Sequence, residues 1–450
     1  MKRATKLGYG IGIYGPMLGW VAALQWLMYF YTEVVGLNPA AAGLIFMVGM
    51  VWDAISDPGI GLLADRTRTR WGRYRPYLLF GSVPFAAAIA FLFFNPPLAA
   101  GSDSLMGFSP AFWIALATHL LFRTGYTVVY MPYTAMIARM TPDYDTRTSL
   151  VGYKTMFVFA GNLTVSFLFY KLVLALGDGQ ESAGFFPAAA VVGSIAALTS
   201  LICFAVVRER NNQADASAKP ETGIFSAARD LGRNRPFLMV FGCTALIGGF
   251  YGAELTMVAY YAKYWLGDPS RTSDIFVTQA IAAIISIPLW QWVARRFGKA
   301  RVWIAGNCVS AACLIAIFLL RPEDWRIMAA LYGVANVGAT AFIMIFYAMT
   351  ADTVDWGEAN TGARHEGIVF GAVSFANKFA AGVATGLVGS GLAAAGFVAN
   401  QQPSAGTMDA MFAIGLLMPA FAFIAGAIIL LAYPIGREEH AALLARIKSC

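Results

Sequence analysis

The sequence predicts an all-α membrane protein of twelve transmembrane helices, arranged as two six-helix pseudosymmetric halves. Three observations carry that expectation. The chain is 58% hydrophobic and 13% charged, about half the charged share of a soluble domain, and its mean hydropathy is +0.62. Charge-free runs such as 185–207 and 410–433 are long enough to cross a bilayer, which takes roughly 20 residues. Basic residues, finally, alternate between loops in the manner of a multi-pass protein. Long apolar runs also argue against an outer-membrane barrel, whose strands are short and alternating.

Twelve spans are expected, near 8–32, 39–63, 75–96, 109–138, 149–176, 184–207, 236–265, 273–294, 301–320, 327–351, 365–397 and 408–433. Lys2, Arg3 and Lys6 precede the first, and no separate signal peptide is expected, because Met1-Lys2-Arg3 leads straight into a long span. Arg66 to Arg75 follows the second span, and Arg208 to Arg235 follows the sixth. The eighth is followed by a shorter basic echo, Arg295 to Arg301. With the N-terminus in the cytoplasm, and with Arg75, Arg301, Lys171 and Lys263 near span ends counted with the adjoining loops, inside segments hold 24 of the 32 Lys and Arg, outside segments 5 and helices 3. Both termini are therefore expected to be cytoplasmic, and the net charge of +7 is a topology signal rather than a nucleic-acid footprint. The polar stretch 208–235 reads as a cytoplasmic linker between halves 1–207 and 236–450, the latter ending in a short tail. The recurring basic loop is weak internal symmetry of the kind parallel transporter halves show. Pro16, Pro58, Pro132 and Pro288 lie at or near span interiors, where a proline kinks a helix or opens backbone beside a cavity. The five cysteines have no metal-site or disulfide spacing and read as packing residues.

The chemistry concentrates on the second and fourth spans. Asp53 and Asp57 are four residues apart, on one face of a helix, at membrane depth. Two carboxylates there repel unless a cation or proton intervenes, so the pair can supply hard oxygen ligands to sodium or one proton-binding acid. A salt-bridged structural pair is the other reading, with Arg123 as the candidate partner. Arg123, Thr127 and Tyr130 share a face at i, i+4 and i+7. An intramembrane guanidinium stays charged and needs a partner. It either pairs with Asp53 or Asp57, weakening sodium affinity in favour of a proton or no ion, or faces the cavity and binds an anionic group. His119, one turn earlier, is a proton relay or a structural polar residue. Lys154, Lys378 and Glu254 are the remaining buried charges, and Glu254 has no evident role.

Four segments, taken in order, resemble a known family: Tyr29 to Leu37, Asp53 to Pro76, Tyr260 to Asp268, and Ala351 to Glu358. Together they look like the glycoside–pentoside–hexuronide:cation symporters of the major facilitator superfamily, and the likeness runs from the first helix to Tyr433-Pro434. That resemblance implies the major facilitator fold, with secondary active symport of a glycoside or related small organic solute by alternating access. Asp53 and Asp57, with Thr127 beside them, match the family's cation site. Lys378 matches a lysine typical of the family, able to reach the acidic pair from the other half, and Lys154 falls near a position usually held by Arg. Tyr14, Met17, Trp20, Arg123, Tyr130, Lys154 and Lys378 are expected around the solute.

The chain departs from its sugar-carrying relatives at Tyr130, where Asp or Asn is usual, and at Met17, which aligns with an Asp of one such relative, so a galactoside held by carboxylates is not expected. The more apolar cavity leaves open a second reading, a carrier of a lysolipid or other amphiphilic organic anion, proton-coupled or uncoupled. Asp65, Arg66, Arg73 and Arg75, with Asp352, Asp355, Glu358 and Arg364, are gating residues by resemblance, acids of one half facing basic loops of the other. An enzyme is not expected, since the sequence has neither a metal-ligand cluster nor a nucleophile–base motif. The expected partners are the solute, a coupling cation (Na+ or H+) and the lipid bilayer, with no nucleic acid and no other cofactor. The protein is expected to be a monomer in the bacterial inner membrane.

Overall fold

In hydrocarbon a backbone can hydrogen-bond only to itself, so each long apolar run must close into a helix. The computed structural model describes residues 1–95, 106–141, 143–209, 224–361 and 365–449, which form helices and no strand. In chain order these are α1 (Arg3–Tyr29), α2 (Pro39–Arg66), α3 (Arg75–Leu92), α4 (Pro110–Met140), α5 (Tyr144–Leu176), α6 (Glu181–Val206), the short α7 (Ile224–Arg233), α8 (Arg235–Tyr264), α9 (Arg271–Phe297), α10 (Lys299–Leu320), α11 (Trp325–Thr361), α12 (Glu366–Ala394), α13 (Ala405–Phe412), α14 (Met418–Leu431) and α15 (Arg437–Ser449). A π-helical turn, Phe30–Val34, extends α1, and another, Ala413–Leu417, fuses α13 to α14.

Eleven of the resulting rods are long and apolar enough to cross a membrane. The twelfth, α4, is 31 residues long. It falls short in hydropathy because His119, Arg123 and a run of Thr and Tyr lie along it. The rod that falls short is thus one that carries the site residues Arg123, Thr127 and Tyr130.

Local chemistry sets the helix starts. Asn38, Ser109, Asp143, Asn234 and Ser404 each accept a backbone N–H of the first turn, and Pro39, Pro110 and Pro236 occupy early positions that need no donor. Gly298, at φ +90°, separates α9 from α10 in a conformation open to glycine. Pro16, Pro58, Pro132 and Pro288 all sit inside continuous helices. The backbone widens instead at the two π turns. The expected linker 208–235 includes α7, whose Asp230 meets His365 at 3.2 Å.

The chain divides into two compact units. The first comprises Met1–Ala216 with Thr272–Phe276 and Gly389–Pro403, and the second Ser217–Arg271, Val277–Val388 and Ser404–Cys450. In the first, α1 packs on α5 and α6, α3 on α6 and α4, and α2 on α4. In the second, α10 packs on α11 and α14, and α8 on α14 and α11. Close approach needs small residues: a Cβ on Gly338 would strike the Gly306 carbonyl, and one on Gly306 the Gly338 carbonyl.

Candidate functional site

In the first unit, α2 and α4 bring the predicted charges together. Asp53 and Arg123 are 4% and 5% exposed, and Nη1 of Arg123 donates to Oδ2 of Asp53 at 2.7 Å. Of the two roles open to Arg123, the ion pair is the one formed. The guanidinium is held on its other sides as well: Nε donates to Nε2 of His119 at 3.2 Å, and the Trp20 ring lies 5.0 Å from Cζ. His119 is therefore an acceptor toward Arg123, which assigns its proton to Nδ1, facing the Tyr31 hydroxyl at 3.4 Å. Tyr31 in turn donates to the Ala115 carbonyl at 3.3 Å. A neutral histidine fixed between these groups is an orienting residue, and α2 reaches it only because Gly49 has no Cβ, which would lie 2.6 Å from Nε2.

Asp57, one turn from Asp53, is half-buried and accepts a hydrogen bond from Thr127 Oγ1 at 2.8 Å. The two carboxylates of the predicted pair thus have different surroundings, a guanidinium for one and a hydroxyl for the other. Trp52 Nε1 ties the same two helices by donating to Thr124 Oγ1 at 2.8 Å.

On α1, Tyr14, Met17 and Trp20 are half-exposed while their neighbours on the helix are buried, so they form one edge at i, i+3 and i+6. Trp20 stacks on Tyr126 (4.8 Å between centroids), and Tyr126 stacks on Tyr130 (4.9 Å). The Tyr14 hydroxyl meets Thr164 Oγ1 at 2.9 Å, and the Met17 side chain lies against Gly161. Lys154 Nζ sits 5.5 Å from the Tyr130 ring and 5.9 Å from Tyr133, with no carboxylate bonded to it among the described residues. Six of the seven predicted solute residues thus belong to the first unit. Lys378, on α12, is half-buried and belongs to the second. Thr164 and Phe157, which packs edge-on to Tyr14, carried no signal in the sequence.

Several of the predicted gating residues have hydrogen-bond or ion-pair partners inside their own units. Asp65 accepts from the Tyr74 hydroxyl at 2.7 Å, and its carbonyl accepts from Arg73 Nη1 at 3.1 Å. Arg75 is buried, donating to the carbonyls of Trp71 and Phe204 at 3.1 and 2.6 Å, while Arg66 ends α2, exposed. Glu209, absent from the sequence reading, accepts the backbone N–H groups of Arg73, Tyr74 and Arg75 at 2.8–2.9 Å. In the second unit, Lys299 Nζ meets both oxygens of Asp352 at 2.7 and 2.8 Å, and His440 Nε2 lies 3.1 Å from Asp355. Glu358 lies half-buried on α11, and Arg364 lies outside the described residues.

A family model described as MFS/sugar transport protein matches residues 8–437. A putative glycoside/cation symporter of Escherichia coli K12 is 30% identical over 398 residues, covering 85% of this chain and 81% of that one. An isoprimeverose transporter of Lactiplantibacillus pentosus is 28% identical over 442 residues, covering 97% and 89%. In fold, the crystal structure of a nucleoside transporter superposes with a TM-score of 0.69 at 13% identity, covering 95% of this chain and 99% of that one. A helical bundle with an intramembrane carboxylate pair, matched along nearly its whole length by symporters, is a transporter and not an enzyme. The chain belongs to the MFS/sugar transport protein family, the glycoside–pentoside–hexuronide:cation symporters of the major facilitator superfamily, and is a secondary transporter.

Proposed function

We propose that the coupling ion is a proton and that Asp57 carries it. The observation behind this is the 2.7 Å ion pair between Arg123 and Asp53. Sodium wants several hard oxygen ligands and gains most from two carboxylates. Here one carboxylate is already neutralised by a cation that never loses its proton. A second cation beside that guanidinium would meet its repulsion, whereas Asp57 can bind a proton with Thr127 steadying its oxygen.

The solute then lies along Tyr14, Met17, Trp20 and Tyr130, with Lys154 as the cationic donor to its hydroxyl or acidic groups. The aromatic edge offers flat faces to a sugar ring. Asp65, Arg66, Arg73 and Arg75, with Asp352, Asp355 and Glu358, set the stability of the inward-closed state. The protein resides in the bacterial inner membrane as a monomer, with both termini in the cytoplasm.

The test is uptake into proteoliposomes with imposed gradients, screened over glycosides and uronates. A proton gradient drives accumulation and a sodium gradient does not. Asp57→Asn loses accumulation but keeps exchange of solute across the membrane. Sodium-driven uptake by the wild type, or undiminished accumulation by Asp57→Asn, overturns the assignment.

A further inference from the structure

The second unit holds a carboxyl group that this coupling scheme does not use. Glu254, about two-thirds of the way along α8, is 2% exposed. No Lys, Arg or His among the described residues pairs with it, and its bonded partner is an uncharged amide, Gln279 Nε2 from α9, at 3.3 Å. Asn336 on α11 donates to the Gln279 carbonyl at 2.8 Å and accepts from the Tyr251 hydroxyl at 3.0 Å. Tyr251, three residues before Glu254 on α8, is half-buried. Polar groups therefore lie in steps beside the carboxyl group: Tyr251 is bonded to Asn336, Asn336 to the Gln279 backbone, and the Gln279 side chain to Glu254.

Among the described residues, no group bonded to it carries a positive charge. Tyr251 and Tyr261 on α8 and Tyr332 on α11 are within electrostatic reach of Glu254. Tyr261 donates to the Met411 carbonyl at 2.8 Å, whereas the buried Tyr332 hydroxyl has no hydrogen-bond partner among the described residues. The π turn and α14 bring no charged side chain, and α12, which also carries Lys378, sets the amide of Asn377 against Gly248. A carboxylate in such a place is not compensated, and a carboxylic acid is. A structural hydrogen-bonding role would be met by glutamine without any ionisable group, and an intramembrane ionisable residue is a functional candidate by default.

We propose that Glu254 is a second proton-binding site, which takes up one proton as a carboxylic acid and releases it once per transport cycle, separately from Asp57. The proposal rests on the protein being an alternating-access symporter and does not depend on which ion Asp57 carries. The step is a simple protonation: water on one side supplies the proton to the carboxylate, and the opposite side receives it when rearrangement of α8, α9 and α11 exposes the group.

Infrared spectra of the purified protein across a pH series, together with the proton-to-solute ratio from reversal potentials in proteoliposomes, test this. Wild type shows a protonated-carboxyl band that Glu254→Gln lacks and Asp57→Asn keeps. Glu254→Gln, which preserves shape and the hydrogen bond, transports with one proton fewer per solute, and its uptake loses one titration step. If Glu254→Gln leaves the carboxyl band, or the proton ratio and pH profile, as in the wild type, the site is structural and the proposal fails. Loss of proton coupling at Asp57 alone would show in the Asp57→Asn variant and leave the Glu254 band in place.

Discussion

Arg123 and Asp53 have each been taken almost completely out of contact with solvent, so each charge depends on the other. Removing one partner of such a pair costs about 3–5 kcal/mol, because the remaining charge stays buried. Asp53→Asn and Arg123→Gln are each expected to destabilise the protein by that order, and the double variant by clearly less than the sum, as a double-mutant cycle on thermal unfolding in detergent will show. Arg123→Gly carries a second expectation. With the guanidinium gone, Asp53 and Asp57 become a two-carboxylate site, so sodium should raise the unfolding temperature of this variant and not of the wild type. The i, i+4 and i, i+4, i+7 spacings were enough to place each set of residues on one face of its own helix. Which partner Arg123 takes depended on the helix contact at Gly49 and on His119, which no spacing reveals.

At the scale of elements, the start of α3 shows how a loop is fixed by a residue far along the chain. Glu209 gathers three successive backbone N–H groups that the first turn of a helix leaves unsatisfied, where a negative charge is also favoured by the helix dipole. Gly72 makes room for it: φ is +110°, and a Cβ would lie 2.6 Å from the Glu209 carboxyl carbon. Glu209→Ala is expected to lower stability by about 1–3 kcal/mol, the range for hydrogen bonds to charged groups, read by thermal unfolding. Gly72→Ala should cost a similar ~1–3 kcal/mol through backbone strain. Between α8 and α9, hydrogen bonds from Ser270 hold the Asp268 carboxyl below its ordinary value. The native turn therefore gains from ionised Asp268 above the ordinary carboxylate range and loses this as pH falls through the depressed value. Ser270→Ala should move the Asp268 titration upward, as NMR of a labelled side chain would show. Helix positions were legible to within a few residues because apolar runs and their flanks set them. The exception is α11, expected to end near 351 and continuing to Thr361. Its last turns are polar, and hydropathy sees only the part of a helix that enters lipid.

For the whole molecule, the distribution of basic residues predicts that a fluorescent reporter fused after Cys450 will be fluorescent and protease-protected in intact cells; an external C-terminus would leave it cleavable from outside. The sequence by itself determined the class, the twelve spans and the family, because hydropathy, charge asymmetry and ordered motifs are properties of the linear chain. It also named Asp53, Asp57 and Arg123. Only the tertiary structure decided that one carboxylate is neutralised from within while the other meets a hydroxyl, that Arg75 anchors its own unit, and that Glu254 lies among uncharged partners. The reason is physical: the energy of a charge in a membrane protein depends on what faces it from other helices, and those neighbours are distant in sequence.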